Sequence, residues 1–156
     1  MGLAHSIDNL IDPLRKLANL VGAPLWDLAA RLFLAHAFFK SGLVRYKAWA
    51  NGDFDSQIFL FELEHPVPGL DPEIAAYMTT GAELILPVLL ALGLFGRFAA
   101  AGLLIMTAVI EFTYGHFDVH ILWAFLAASI FIKGAGTLSL DHLLVKFLRR
   151  YGACCQ

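Results

Sequence analysis

The chain has 156 residues, of which 59% are apolar and only 15% charged, and its mean hydropathy is +0.70. A soluble domain of this size carries about 45–50% apolar and about 25% charged residues, so this composition argues against an ordinary soluble enzyme and in favour of membrane spans. The net charge of −2 and the isoelectric point near 6.3 show no basic excess, which argues against nucleic acid as a partner.

Residues 1–24 form an amphipathic N-terminal segment. Ser6 is a suitable N-cap for a helix. After it, apolar residues recur at helical spacing at Ile7, Leu10, Ile11, Leu14, Leu17 and Val21. This pattern predicts a helix that lies in the membrane interface.

Four apolar stretches predict transmembrane helices at residues 25–44, 74–96, 98–114 and 119–136. Each is long enough, or nearly so, to cross a hydrocarbon layer of about 30 Å as a helix, in which the backbone satisfies its own hydrogen bonds. The short turns between the last three stretches force neighbouring helices to run antiparallel. We therefore predict an all-α fold, an integral membrane antiparallel four-helix bundle over residues 25–136 with amphipathic interfacial helices at both ends.

The basic residues predict the orientation, because Lys and Arg are enriched in cytoplasmic loops. One side of the predicted bundle carries Arg15, Lys16, Arg97, Lys133, Lys146, Arg149 and Arg150. The opposite side carries only Arg45 and Lys47 outside the spans. Both termini are therefore expected in the cytoplasm. The connection at residues 45–73 becomes an external acidic loop, and its apolar run and prolines suggest a cap over the bundle.

Residues 137–156 form a basic, amphipathic C-terminal segment. Ser139 is placed to cap a helix with one apolar face. Lys146, Arg149 and Arg150 form the polar face of the same helix. Such a helix suits an anionic inner leaflet. The segment ends in Cys154 and Cys155, whose role the pattern does not explain.

Ionisable side chains within the predicted spans carry the functional argument, because each costs about 2.5–3.5 kcal/mol at the centre of an inserted helix. These side chains and two further histidines near the fourth span are Arg31, His36, Lys40, Glu83, Glu111, His116 and His120. At about 1.5 Å per residue, all except Arg31 fall near the middle or in the outer half of the bundle. We predict that they converge on a polar site beneath the external loop, if the helices turn them inward.

Pro87 lies four residues after Glu83 in the second span and has no N–H to donate to the Glu83 carbonyl. A carboxylate and a free backbone acceptor at one depth suit a cation, a proton or a hydrogen-bonding head group such as a quinol. The alternative is that Arg31, Lys40, Glu83 and Glu111 form buried ion pairs that only hold the helices in register. Both interpretations use the same residues.

His116 and His120 have the spacing of two metal ligands on one helix face. Gly115 interrupts the helical pattern at this point, so a pair of solvent-facing histidines is the alternative. These two residues are the candidate metal ligands.

Three blocks of the sequence form a recognisable pattern. The first span has Arg31, Lys40 and Gly42. The second has Glu83 and Pro87 followed by a Gly-Leu-x-x-Arg-x-Ala turn at residues 93–99. The closing block at residues 134–141 reads Gly-x-Gly-x-x-Ser-Leu-Asp. Together these blocks resemble the DoxX family of small four-helix bacterial inner-membrane proteins. The external segment at residues 65–68, with His120 and Trp123, is similar to a subgroup associated with copper-binding, ribosomally made peptides.

The resemblance implies a multi-pass protein of the bacterial inner membrane. Some family members resemble subunits of quinone-linked sulfur oxidoreductases, and others associate with redox-defence proteins. The first hypothesis is therefore an accessory membrane subunit of redox or metal-stress physiology, not a stand-alone enzyme, which holds a quinone head group or a metal and works with a protein partner or a larger membrane complex. The second is a membrane partner in the maturation or export of a copper-binding peptide. The third is a ligand-free scaffold in the bilayer.

Overall fold

The computed structural model describes residues 11–64, 66, 67, 69–113 and 118–152. These residues form helices and turns and contain no strand, which confirms the all-α prediction. The helices are α1 (Ala23–Ala50), α2 (Asp55–Leu63), α3 (Pro72–Leu92), α4 (Gly96–Thr113), α5 (Asp118–Lys133) and α6 (Leu140–Gly152). His65, Pro68, His116, Cys154 and Cys155 lie outside the described residues.

Helix α1 is longer than the first predicted span. It continues without a break from a helical segment that begins at Ile11, so that the whole helix Ile11–Ala50 has 40 residues. A π-helical turn at Ala18–Gly22 precedes Pro24. Because proline cannot donate to the carbonyl four residues earlier, the wider turn accommodates it without ending the helix. The predicted boundary between residues 24 and 25 is therefore crossed by continuous helix.

Three helices within the described part of the chain are long and apolar enough to cross a membrane: Ile11–Ala50, Pro72–Leu92 and Gly96–Thr113. The sequence predicts four. Helix α5 has 16 residues, about 24 Å at the rise of an α-helix, which is shorter than a hydrocarbon core of about 30 Å. The three longer helices establish a membrane protein.

One buried apolar cluster joins α1, α3, α4 and α5. Its members are Leu34, Phe38, Leu90, Ala99, Ala100, Leu103, Ala127 and Ile130. The alanines allow α4 and α5 to pack closely, while large apolar side chains such as Phe98, Phe112 and Ile132 are exposed on the outside. In a membrane these side chains contact lipid tails, which are as apolar as the interior of a protein. Their exposure therefore agrees with a membrane location.

The region between α1 and α3 is largely helical, although the sequence predicts an external loop over residues 45–73. Helix α1 extends to Ala50, and α2 then packs through Phe54 and Phe61 against Ala75 and Ala76 at the start of α3. The Asp71 carboxylate accepts a hydrogen bond from the Glu73 N–H at 3.0 Å and caps α3. Helix α2 is thus attached to the start of α3.

The closing block of the sequence binds the turn between α3 and α4. The Asp141 carboxylate accepts hydrogen bonds from the N–H groups of Phe95 and Gly96, both at 2.9 Å, and so caps α4. The Ser139 hydroxyl donates to the Gly136 carbonyl at 2.6 Å and accepts from the His142 N–H at 3.2 Å, at the start of α6. The chain after α5 is therefore held against the start of α4.

Arg31 lies at the same end of the molecule and is only 1% exposed. Its guanidinium donates to the Leu90 carbonyl at 3.4 Å and to the Leu138 carbonyl. Gly93 ends α3 with φ +68, and a Cβ there would overlap the guanidinium and lie 2.5 Å from the Ser139 Cβ. Arg31 thus connects α1, the end of α3 and the closing block.

We expect Gly93→Ala to destabilise the protein more than Gly52→Ala. Gly52 has a similar φ of +75 and nothing within 4 Å of its missing Cβ, so its substitution costs only the left-handed backbone strain of about 1–2 kcal/mol. Gly93→Ala adds an overlap with Arg31 and Ser139 that costs about a further 1–3 kcal/mol. Thermal unfolding in mild detergent measures both variants. Equal losses would contradict the packing described for Gly93.

Candidate functional site

A cavity of about 590 Å³ lies between α1, α3, α4 and α5, beneath α2 and the connection that follows it. Its walls are mostly apolar, with side chains such as Phe38, Ile105 and Val109. The polar lining residues are Ser41, Arg45, Thr79, Glu83, Thr113, His120 and Trp123. A mostly apolar cavity with a few polar groups is typical of a small-molecule site.

Arg45 and Glu83 form an ion pair at the wall of this cavity. The Arg45 Nη1 donates to Glu83 Oε2, with side-chain exposures of 16% and 2%. The Arg45 guanidinium also lies over the Phe61 ring, 5.3 Å from its centroid. Because Phe61 belongs to α2, the cation joins α1 and α3 to the helix that covers the cavity.

Gly42 allows the close approach that this ion pair requires. A Cβ on Gly42 would lie 2.8 Å from the Glu83 Cβ and 3.0 Å from its carbonyl carbon. Such distances are below normal contact, so only glycine fits at this crossing of α1 and α3. Pro87, whose missing N–H leaves the Glu83 carbonyl without its helical donor, is fully buried one turn further along α3.

A second polar pair lies on α4 and α5. The Nδ1 of His120 is 2.8 Å from Glu111 Oε2. The His120 ring is 5.3 Å from the Trp123 ring, which in turn is 5.1 Å from the Phe38 ring. The Trp123 Nε1 is buried and has no hydrogen-bond partner. An indole nitrogen can only donate, so the cavity wall contains a donor that lacks an acceptor.

The predicted convergence is found for only part of the predicted set. Glu83 and His120 line the cavity, and Glu111 pairs with His120. His36 and Lys40 are instead exposed on the outer surface of α1.

The reason is the helical periodicity of about 100° per residue. Leu34, Phe38 and Arg45 form the inward face of α1, and residues 36 and 40 fall on another face. Arg31 lies at the other end of the molecule, near Asp27 and Asp141. It is therefore separate from the cavity.

Arg45, the partner of Glu83, is not among the site residues predicted from the sequence. The first span is predicted to end at residue 44, which places Arg45 in the external connection, whereas α1 continues to Ala50. The signal was present, since Ser41 follows Phe38 by three residues and Arg45 follows Ser41 by four, which places all three on one helix face. Within the described part of the chain, no three His, Cys, Asp or Glu residues are grouped so that they could hold a metal ion. His116 is outside that part.

The fold and the cavity define a helical integral membrane protein with a mainly apolar internal site. The DoxX family model matches residues 26–116, more than half of the chain, and this protein therefore belongs to the DoxX family. The matched region contains every lining residue of the cavity except His120 and Trp123.

One curated relative is described as an uncharacterized protein of Haemophilus influenzae (strain ATCC 51907 / DSM 11121 / KW20 / Rd). It is 29% identical over 138 residues, covering 81% of this chain and 87% of the relative. No solved structure matches the chain.

We expect Arg45→Met to destabilise the protein by about 3–5 kcal/mol, because it leaves the buried Glu83 carboxylate without its partner. Adding Glu83→Gln should recover most of that loss, since the double variant buries no unpaired charge. Asp12→Asn breaks the exposed Asp12–Lys16 pair, separated by 3.2 Å, and as a control should change stability by at most about 1 kcal/mol. Thermal unfolding in detergent measures all three. A double variant no more stable than Arg45→Met would contradict the assigned pairing.

Proposed function

We propose that this protein binds an amphipathic ligand with a polar head group, foremost a quinone, in the cavity beneath α2. The mostly apolar cavity with a few polar groups at its wall carries this proposal. Trp123 adds a buried indole donor without a partner, which costs about 1–3 kcal/mol unless an acceptor reaches it. A quinone carbonyl is such an acceptor. The adjacent rings of Phe38 and Trp123 provide an aromatic wall for a planar head group.

The remaining polar groups suit the same ligand. Arg45 supplies further N–H donors at the cavity wall, and Glu83 supplies an acceptor for a hydroxyl of the reduced form. The apolar lining from α4, including Ile105 and Val109, suits an alkyl tail. A volume of about 590 Å³ is within the range of small-molecule sites, about 300–1,000 Å³.

The role that follows is an accessory subunit that holds the ligand for a redox partner in the membrane. This role extends the first hypothesis from the sequence and is supported by the family membership. Copper remains the second candidate ligand because of His120 and of His116, which is outside the described residues. Copper is therefore included in the ligand test.

We also propose a topology for the bacterial inner membrane. Helices α1, α3, α4 and α5 form an antiparallel four-helix bundle, and both termini are cytoplasmic. Arg97 and Lys133, at the ends of α4 and α5 on the Arg31 side, support this orientation. The exposed, basic α6 then lies on the inner leaflet, where Arg149 and Arg150 face anionic lipid.

Reporter fusions test this topology through the number of crossings. With four crossings the C-terminus lies on the same side as the N-terminus, whereas three crossings place it outside. We expect alkaline phosphatase to be inactive when fused after Gln156 and active when fused after Gly52, in the turn after α1. Green fluorescent protein fused after Gln156 should be fluorescent. An active phosphatase after Gln156 would contradict α5 as the fourth span.

Tryptophan fluorescence tests quinone binding, because the chain has three tryptophans and only Trp123 lines the cavity. In a Trp26→Phe, Trp49→Phe variant, a short-chain quinone should quench Trp123 with saturation at micromolar concentration. In the matched Trp26→Phe, Trp123→Phe variant, the exposed Trp49 should show only linear quenching from ligand dissolved in the micelle.

A competing alkyl compound without the quinone ring should not reverse the quenching, whereas a ring analogue of the quinone that does not itself quench tryptophan should. Linear quenching of both tryptophans would contradict a quinone site in the cavity. Binding of added copper that is lost in His120→Ala, without saturable quinone quenching, would favour the metal instead.

A further inference from the structure

Two ionisable side chains of α1 lie on the outer surface of the molecule and not in the cavity. His36 and Lys40 are one helical turn apart and are both exposed. Neither forms a hydrogen bond or ion pair with another residue in the described part of the chain. They belong neither to the cavity nor to the group of residues that Arg31 contacts.

Their depth follows from two tryptophans on the same helix. Trp26 and Trp49 are 63% and 52% exposed, and tryptophan is enriched at the two membrane interfaces. Their separation along the helix is about 34 Å, close to the thickness of a hydrocarbon core of about 30 Å. The midpoint falls between residues 37 and 38, so His36 and Lys40 lie within about 4 Å of mid-depth.

A lysine at this depth cannot be explained by snorkelling, which serves residues near helix ends. An ionisable residue that faced lipid at mid-depth would be costly, and such residues pair with another polar group. Nothing in the described part of the chain supplies such a group to Lys40, so its side chain is available to a polar group of another molecule.

A groove lies on the surface beside these residues. It has a volume of about 270 Å³ and runs between α1 and α3, and its lining includes Ala35, His36, Phe39, Pro87 and Ala91. The two alanines permit close approach of another backbone, as small residues do between membrane helices. His36 lies in the groove itself, and Lys40 is one turn further along α1.

We propose that a transmembrane helix of a partner protein lies in this groove and places a carboxylate opposite Lys40. Charge complementarity favours a different protein over a second copy of this chain. At comparable depth the acidic residues Glu83 and Glu111 are already paired, with Arg45 and His120. The described part of a second copy would therefore offer Lys40 no free carboxylate at this depth. This inference does not depend on a ligand in the cavity.

The test uses synthetic transmembrane peptides of leucine and alanine with a single central Glu, Gln or Lys. The wild-type protein, carrying a donor dye on its C-terminal cysteines, is reconstituted in phosphatidylcholine vesicles with acceptor-labelled peptide. We expect energy transfer to show that the Glu peptide associates about tenfold more tightly than the Gln peptide. This comparison needs no variant of the protein.

Charge exchange then identifies the residue. Lys40→Glu should reverse the preference, so that the Lys peptide binds more tightly than the Glu peptide. Lys40→Gln should remove the difference between the Glu and Gln peptides. Lys47→Glu, an exposed position nearer the end of the same helix, is the matched control and should keep the wild-type preference.

Two results would overturn the proposal. One is equal binding of the Glu and Gln peptides to the wild-type protein, as expected if lipid alone covers this face. The other is energy transfer between two labelled copies of the protein that is lost in Lys40→Glu, because a second copy would then be the occupant.

Discussion

The ion pair between Arg45 and Glu83 is the interaction on which the cavity half of this protein depends. Glu83 is almost completely buried and Arg45 largely so, and a buried charge is costly unless its partner lies inside the protein. The glycine at position 42 brings the α1 and α3 backbones close enough for the pair to form. The Arg45 contact with Phe61 then holds α2 over the cavity. One contact thus sets the crossing of two helices and the position of the cover.

The two ends of the molecule differ in how their polar groups are used. At the Arg31 end, Asp141 and Ser139 make hydrogen bonds to backbone groups, so this end serves as a structural closure. At the other end, a cavity remains between the helices. This cavity places the candidate site at the α2 end, away from Arg31.

The charges on the outer face of α1 form a third group. They face neither the closure nor the cavity and are exposed on the outer surface. The proposed ligand site and the proposed helix-binding groove thus lie on different faces of the protein. This agrees with the accessory role proposed from the family and the cavity.

Much of the architecture was predictable from sequence because it depends on local patterns. Long apolar stretches indicated the membrane helices, and the Gly-Leu-x-x-Arg-x-Ala and Gly-x-Gly-x-x-Ser-Leu-Asp blocks indicated the family. Glu83 was singled out because a carboxylate in an apolar span is costly. Its partner was not predicted, because α1 continues past the apolar stretch and carries Arg45 within the helix.

The sequence by itself determined the helical class, the membrane location and the identity of the costly charges, since these follow from composition and spacing along the chain. Only the tertiary structure decided which charges meet. Helix rotation turned Arg45 inward and Lys40 outward, and the packing of α3 against α1 chose Arg45 as the partner of Glu83. Rotation and pairing depend on side-chain packing between residues far apart in the chain, which linear spacing does not specify.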